Sequence, residues 1–286
     1  MKGIIIGIAA ALFLLGSTIS TANQYTQPFS PANPLDDNVP VWQVGNSWTY
    51  TVSNLTINYN VSGQKILVYG TINDFTWTVT DTSDSTYYKV NFTGKLTASY
   101  DLKVSSISGN MQVKGTFKPT RTHLKGTILF TKSDLKIHSV TAEIKGLSAA
   151  IIAPLKIKLP IPFKLTAQSG LSDDFPLLDF PLSSNKYWSM PNLEINMVAN
   201  AGGILGFFSF PITFGTEYYW TPFAFHCQDK RDVTVPAGTY SAYKISSIFG
   251  EYFDYYYAPD VGNLIKIDAT LQNGAISAEL VASNYS

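Results

Sequence analysis

The sequence predicts a mainly antiparallel all-β fold, arranged as a large curved sheet or an unclosed barrel, and three observations support this prediction. Apolar residues recur at every second position in many segments, which is the period of a strand with two different faces. Turn residues separate these segments, as at 236–238 and 258–262. Aromatic residues make up 14% of the chain and charged residues only 14%, a composition that suits strands on a broad core. A β-sandwich, or two smaller β subdomains, would satisfy the same pattern.

The composition also limits the function. The chain has 286 residues, enough for one large β domain or two small ones. Its 20 basic and 20 acidic residues balance, whereas a nucleic-acid-binding protein normally carries a basic patch, so we expect no nucleic-acid partner. A single cysteine, Cys227, leaves no internal disulfide. We interpret Cys227 as a small apolar filler near a strand end, although the adjacent His226 also allows a catalytic interpretation.

Residues 1–22 have the features of a secretion signal peptide. Lys2 supplies the positive charge, Gly3–Leu15 form a short apolar core, and Ser20–Ala22 resemble a cleavage site. The apolar run is shorter than the roughly 20 residues that a membrane-spanning helix needs. We therefore expect a secreted or cell-surface protein, with a retained N-terminal anchor as the alternative.

Residues 23–41 are predicted to form a flexible linker before a β-rich domain at 42–286. The linker contains four prolines and no apolar period. An extended arm of this kind can add a strand to the sheet edge of a neighbouring molecule. This predicts self-association, and a structural or adhesive surface subunit is one alternative function.

The domain opens with aromatic and β-branched strands between Trp42 and Phe92. Trp48, Tyr50 and Val52 alternate with polar residues after a turn at 44–47. We interpret Trp48 as an anchor of the core.

Four tripeptides match the acceptor pattern for N-glycosylation, and we treat their asparagines as candidate modification sites. These are Asn54, Asn60, Asn91 and Asn284. Each of them, if modified, would mark solvent-facing backbone.

Segment 95–165 has the strongest alternation of the chain. At its end, six apolar residues stand at a strict spacing of two and are opposed by lysines, so one face of a strand would carry all six. They are Leu155, Ile157, Leu159, Ile161, Phe163 and Leu165. Pro160 and Pro162 lack backbone donors at positions of one parity, which favours an edge strand. Before them, Leu147–Pro154 predicts a buried turn or one helical turn.

This apolar face allows two interpretations. It is the inner side of an outer strand whose other face meets water, or it belongs to a curved sheet whose concave face holds a lipid-like guest. Under the second interpretation, the six residues are the candidate ligand-binding residues.

The alternation breaks near 170–187, where prolines and acidic or amide residues interrupt it. We predict here either a boundary between two halves or a flap over the apolar face. Asp173, Asp174 and Asp179 lack the spacing of a calcium-binding loop, and we interpret them as part of a solvated loop.

Strands resume at Trp188 and lead into Val233–Asp268, where strand-like alternation recurs between the two turns. Tyr252–Tyr257 are expected to place rings on both faces of their strand. An exposed planar row that included Tyr255 and Tyr257 would favour a carbohydrate-binding module, which is the third functional hypothesis.

Two short modules resemble segments that recur in exported prokaryotic β-proteins. They read W-x-V-G-N-S-W-T-Y at 42–50 and V-x-V-P-A-G-T-Y…Y-Y-A-P-D-V-G-N-L-I-K-I within 233–268. Some of these proteins are similar to the lipoprotein-carrier superfamily of the LolA and LolB kind. The resemblance implies a curved antiparallel sheet wrapped around an apolar cavity, and it bears on fold and not on catalysis.

We expect no enzymatic activity, metal or cofactor. His123, His138 and His226 are far apart, and no zinc-ligand spacing, nucleophile elbow or nucleotide-binding motif is present. Glu251 and Asp254 could form a glycosidase pair, but one close pair arises by chance among 20 acidic residues. The main expectation is a non-catalytic protein that binds a lipid-like ligand on a curved sheet.

Overall fold

The described residues form one antiparallel sheet of fourteen strands. The computed structural model describes residues 38–61, 64–106, 109–153, 157–170, 174–189, 194–201, 210–214, 224–248, 252–271 and 274–285. Most of these residues are in strands, so the prediction of an all-β antiparallel fold is confirmed. The predicted signal peptide and residues 23–37 of the predicted linker lie outside the described residues.

The first six strands follow one another in the sheet as a series of hairpins. They are β1 (Ser47–Val61), β2 (Gln64–Asp81), β3 (Tyr87–Ser106), β4 (Gly109–Thr131), β5 (Ile137–Ala153) and β6 (Ile157–Gly170). Several are far longer than a typical strand. β4 alone has 23 residues, which at about 3.3 Å per residue is a path of roughly 75 Å.

The remaining strands extend the sheet on both sides of this block. They are β7 (Tyr187–Ser189), β8 (Glu194–Ala201), β9 (Phe210–Phe214), β10 (Ala224–Val235), β11 (Gly238–Ser247), β12 (Tyr252–Ala258), β13 (Asn263–Leu271) and β14 (Gly274–Ser283). β8 and β9 continue from β6, whereas β10–β14 form a meander whose last strand returns to pair with β1. The order is therefore β7-β10-β11-β12-β13-β14-β1-β2-β3-β4-β5-β6-β8-β9, with β7 and β9 outermost.

Both turns predicted in the meander are present. Val235 pairs with Gly238 to close the β10–β11 hairpin, and Gly238 has a φ of +143°. A short 3₁₀ helix at Pro259–Val261 joins β12 to β13 and ends at Gly262, whose φ is +63°. A Cβ atom at Gly262 would lie 2.6 Å from the ring of Tyr285. Glycine is therefore required there by both the backbone and the neighbouring ring.

The ring side chains at the start of the domain tie β1 to this 3₁₀ turn. The indole N–H of Trp48 donates to the carbonyl of Val261 at 2.8 Å, and that of Trp42 donates to the carbonyl of Gly262 at 3.0 Å. Trp48 is fully buried, which confirms it as an anchor of the core. The two modules noted in the sequence are therefore packed against each other.

An irregular segment at 174–185, which we call the strap, crosses the inner face of the sheet. Phe175 exchanges backbone hydrogen bonds with Ile137 at the start of β5, at 2.8 and 2.9 Å. Two residues later, the carbonyl of Leu177 accepts a hydrogen bond of 2.6 Å from the hydroxyl of Tyr255 on β12. The strap thus contacts β5 and β12, two strands that are far apart in the strand order.

These contacts require a strongly curved sheet. β5 and β12 are separated by seven strand positions, which in a flat sheet would place them roughly 34 Å apart. Two residues of extended chain span only about 7 Å. The sheet therefore curls around the strap, and the predicted curved sheet is confirmed.

The prediction that β6 is an edge strand is wrong for half of its length. Phe163–Gln168 pair with both β5 and β8, and Ser169 and Gly170 pair with β8. The two prolines lie in Ile157–Pro162, where the described pairing is with β5. In this half of β6, one side of the strand has no described partner. A proline whose missing N–H would point to that side removes no hydrogen bond from the sheet.

Two boundaries also differ from the sequence prediction. Residues 147–153 form no turn but continue β5, because they pair with β4 on one side or β6 on the other. The predicted linker ends before residue 41, since Pro40 is buried and Val39 packs against the core. The packed domain therefore begins about two residues earlier than its predicted start at Trp42.

Candidate functional site

The predicted ligand-binding positions of β6 are aligned with the buried inner face of the sheet. Leu155 lies outside the described residues, and the other five positions, from Ile157 to Leu165, belong to β6. The backbone register pairs Leu165 with Ile144 of β5. Ile144 is buried in the core, and residues directly opposite on neighbouring strands share a face. The alternating positions of β6 thus extend the core side of the sheet.

One transverse row illustrates how far this face continues. Direct backbone pairs connect β6, β5, β4, β3, β2, β1 and β14 in turn. The paired residues are Ile161, Ser148, Phe117, Ala98, Gly70, Leu55 and Ile276. Phe117, Ala98 and Leu55 are buried. Buried apolar side chains therefore lie in this row on β4, β3, β1 and β14, and the backbone register continues the row to β5 and β6.

The strap fills the part of the inner face near the start of β5 and the meander. Leu182 is fully buried, and the ring of Phe180 meets that of Tyr257 edge-on at 5.4 Å. The indole N–H of Trp188 donates to the carbonyl of Pro176 at 3.2 Å, which holds the strap against β7. This region is a packed core and not an open site.

The acidic residues of the strap are paired. Asp179 lies 2.9 Å from the ammonium group of Lys186, and Asp174 lies 2.8 Å from Nδ1 of His138. Asp173 lies outside the described residues. No cluster of three or more metal-ligating side chains is found in the described part of the chain.

The described residues that were considered for catalysis are buried or have other partners. His226 stacks on Tyr187 with ring centres 4.3 Å apart, and Cys227 is fully buried beside it in β10. His138 stacks on Tyr87, far along the sheet. Glu251 lies outside the described residues, and Asp254 pairs with Lys244 at 2.5 Å.

The tyrosines proposed for carbohydrate binding do not form an exposed row. Tyr255 and Tyr257 are 0% and 1% exposed and face the strap, whereas Tyr252 is 50% exposed. Burial, followed by the neighbouring carboxylate of Asp254, raises the pKa of Tyr252 to about 12. The rings of β12 lie on both faces, as predicted, but two of the inward ones serve the core.

The outer face of β3–β6 carries a polar groove that the sequence analysis did not identify. Its volume is about 560 Å³. One wall is the row Asn91, Thr127, Thr141 and Gln168, and the other is the row Thr93, Lys125, Glu143 and Thr166, each row being in direct backbone register. The backbone of Phe92, Gly126 and Ala142 forms the floor between them. We call this feature the outer groove.

Charged side chains cluster along one wall of the outer groove. Glu143 lies 3.4 Å from the ammonium group of Lys125 and 3.1 Å from that of Lys164. The hydrogen bond from Lys164, and then that from Lys125, hold the pKa of Glu143 below its usual range. The carboxylate is therefore ionised at neutral pH. The groove residues come from four strands, so only the register of the sheet brings them together.

The candidate glycosylation sites differ in their surroundings. Asn54 is exposed on β1, whereas Asn91 is half-buried and its side-chain oxygen accepts a hydrogen bond of 2.8 Å from Thr127. Asn284 is exposed, and its side chain bridges Ser47 and Gly45. Asn60 lies in β1.

Among the described residues, no helix has the length and apolar character that crossing a membrane requires. Comparison of the chain with protein-family models, with curated proteins and with solved structures finds no match.

Proposed function

We propose that this chain is a non-catalytic secreted or cell-surface protein that holds an apolar or amphipathic, lipid-like ligand on the inner face of its curved sheet. The observation that carries this proposal is the transverse register of β1–β6, which makes the alternating apolar positions of β6 part of one continuous face. A hydrocarbon chain laid on such a face leaves water, which is favourable by about 25 cal/mol for each Å² buried.

The shape of the sheet supports the same proposal. The described contacts of the strap are with Ile137 at the start of β5 and with β7 and β10–β12. Residues 159–163 of β6 pair with β5 residues that follow Ile144, and they are therefore farther from the start of β5. An elongated ligand would lie there, and the resemblance of the two modules to the lipoprotein-carrier superfamily points to the same class of ligand.

The first test asks whether the purified protein carries a lipid. Native mass spectrometry of protein purified without detergent should show an adduct, and organic extraction should release a lipid that restores the adduct when it is added back. A clean mass of the protein alone, together with no uptake of fluorescent fatty acids, would contradict the proposal.

A pair of variants separates the inner face from a general loss of fold. Leu159→Glu places a charge on the proposed ligand face, and Lys158→Glu places the same side chain at the adjacent position of opposite parity. We expect Leu159→Glu to abolish ligand uptake, because an unpaired carboxylate is costly in an apolar site. Lys158→Glu should keep uptake. If both variants keep the circular dichroism spectrum of the unaltered protein and take up the ligand equally well, the ligand binds elsewhere.

A second candidate function is a surface subunit that assembles by strand addition. The observation in its favour is that the described sheet is open, with β7 and β9 outermost. Because Val39 and Pro40 pack into the domain, the arm to delete is 23–37. Loss of oligomers in that deletion, measured by light scattering, would support strand addition, and persistence of oligomers would contradict it.

A further inference from the structure

The outer groove has the hydrogen-bonding chemistry of a carbohydrate site. Its walls are lined by threonine hydroxyls and by the amides of Asn91 and Gln168. Hydroxyls and amides both donate and accept hydrogen bonds, as sugar hydroxyls require. No described group in the walls other than Lys125 and Glu143 carries a charge.

A basic row runs beside the groove, one step farther along the strands. Backbone pairs place Lys95, His123, Lys145 and Lys164 directly opposite one another on β3, β4, β5 and β6. Like charges directly opposite on neighbouring strands destabilise a sheet. The pair Lys145 and Lys164 is such a case, and Lys145 has no carboxylate partner among the described residues. Lys95 pairs with Asp74 at 2.6 Å and Lys164 with Glu143 at 3.1 Å, so Lys145 is the lysine of this row whose charge no described carboxylate neutralises.

The basic residues of the chain are concentrated in the segment that forms the groove and the basic row. Residues 95–164 contain 12 Lys and Arg against 3 Asp and Glu, a net charge of +9 in a chain with a total of zero. Lys95, Lys125 and Lys145 are exposed on β3, β4 and β5 and lie in the wall of the groove or beside it. An anionic ligand would be concentrated there, because oppositely charged surfaces raise the local concentration of an ion.

The dimensions favour an extended ligand that crosses the strands. From β3 to β6 the groove spans three strand spacings, roughly 14 Å, and its walls stand two residues apart, roughly 7 Å. The basic row lies parallel to it. A linear polymer with hydroxyls along its length and a regular series of negative groups on one side matches both features.

We propose that the outer groove binds an acidic polysaccharide, with its sugar hydroxyls on the threonine-lined walls and its anionic groups on Lys125, Lys145 and Lys164. In the free protein, Glu143 forms ion pairs with the ammonium groups of Lys125 and Lys164. In the complex, an anionic group of the ligand takes the place of Glu143 as their partner. This site lies on the face opposite to the proposed lipid-like ligand and is independent of it.

Native gel electrophoresis through immobilised polymer tests the proposal. The probe is polygalacturonate, which has a carboxylate on every sugar, and dextran is the neutral control. The protein should be produced without N-glycosylation, because a glycan on Asn91 would occupy the groove. We expect retardation by polygalacturonate that weakens as salt is added, and little retardation by dextran. Equal retardation by both polymers, or none by either, would overturn the proposal.

Single substitutions locate the site. Lys125→Gln and Lys164→Gln should each weaken binding about two- to five-fold, the effect of one exposed ion pair. Glu143→Gln should strengthen it, since it frees both lysines. Thr141→Val, which removes one wall hydroxyl and keeps the shape, should also weaken binding.

The matched control is Lys103→Gln, which removes the same charge from the outer face of β3 well away from the groove. Its binding should equal that of the unaltered protein. If Lys103→Gln weakens binding as much as Lys125→Gln does, attraction is diffuse and no groove site exists. Sedimentation with phosphatidylglycerol vesicles in the absence of retardation by polygalacturonate would overturn the proposal in favour of a membrane surface.

Discussion

Single hydroxyl groups from the sheet hold the strap in place. The hydroxyl of Tyr255 donates to the carbonyl of Leu177 at 2.6 Å, and the hydroxyl of Tyr243 reaches the carbonyl of Leu182 at 3.4 Å. The strap is irregular, so its carbonyls depend on such donors instead of a ladder partner. A buried carbonyl left without a donor costs more than the bond itself contributes.

Tyr255→Phe should therefore lower the free energy of unfolding by about 1–3 kcal/mol, measured by urea denaturation. The ring and its packing stay, and only the hydrogen bond to Leu177 is lost. Tyr69→Phe is the matched control, because Tyr69 is 49% exposed, and it should change the free energy by less than about 0.5 kcal/mol. Equal effects of the two substitutions would contradict this account of the strap.

The raised pKa values of three tyrosine hydroxyls predict how the free energy of unfolding depends on pH. Burial raises the pKa of Tyr50 and of Tyr255, and burial with Asp254 raises that of Tyr252 to about 12. The folded state favours the neutral phenol, so the contribution of these groups is complete below the unfolded pKa of about 10. It is lost as the pH rises through the folded pKa.

We expect the free energy of unfolding to fall between about pH 10 and pH 12, with tyrosinate absorbance appearing in two phases. Exposed tyrosines should titrate first and reversibly, and Tyr50 and Tyr255 only as the chain unfolds. Reversible titration of all 17 tyrosines near the ordinary pKa, with the fold intact, would contradict the burial described here.

At the scale of elements, the strap does what a second layer does in other folds. It supplies Phe175, Leu177, Leu178, Phe180 and Leu182 to the core, all of them buried. The apolar face of an open sheet must be buried against another element, and here the strap covers part of it. The strap is therefore as much part of the core as any strand.

Leu182→Ala should cost about 2–5 kcal/mol of unfolding free energy, which is the usual effect of truncating a buried leucine. Leu147→Ala is the control on the outer face of β5, where Leu147 is 40% exposed, and it should cost less than about 0.5 kcal/mol. Differential scanning calorimetry on both variants measures the difference. A small effect for Leu182→Ala would mean that the strap is only loosely attached.

The sequence predicted some elements well because their causes are local. The turns at 236–238 and 258–262 follow from proline and glycine, and the burial of Trp48 follows from alternation around it. The continuation of β5 past Leu147 was missed, because alanine and serine have low strand propensity and only pairing with β4 and β6 decides their state. The edge assignment of β6 failed for the same reason, since β8 pairs with the half that lacks proline.

The outer groove could not be predicted from the sequence. Its eight wall residues lie between 91 and 168, and alternation shows only that each faces the same side of its own strand. A shift of one residue in any of these hairpins would move the wall residues of at least one strand to the other face. The register, set by long-range pairing and bulges, is what creates the site.

At the scale of the whole molecule, β1 joins the two halves of the sheet. It pairs with β2 on one side and with β14 on the other, and Trp42 and Trp48 fasten it to the turn after β12. The strands before the strap and the strands after it therefore share one sheet and one core cluster. Such a molecule should unfold as one cooperative unit.

Fragments 38–170 and 174–285, expressed separately, should each fail to show a cooperative urea transition. The second fragment loses β1, and the first loses the strap and β14. Circular dichroism and intrinsic fluorescence should give one common transition for the intact chain. A cooperative transition in either fragment alone would show that the halves are independent domains.

The pairing of β1 with β14 also constrains when the protein can acquire its fold. β1 precedes β10–β14 in the chain, so the seam between β1 and β14 cannot form until the whole meander has been synthesised. Until then the border of β1 that pairs with β14 is open, and unpaired strand edges make partly folded chains prone to aggregation.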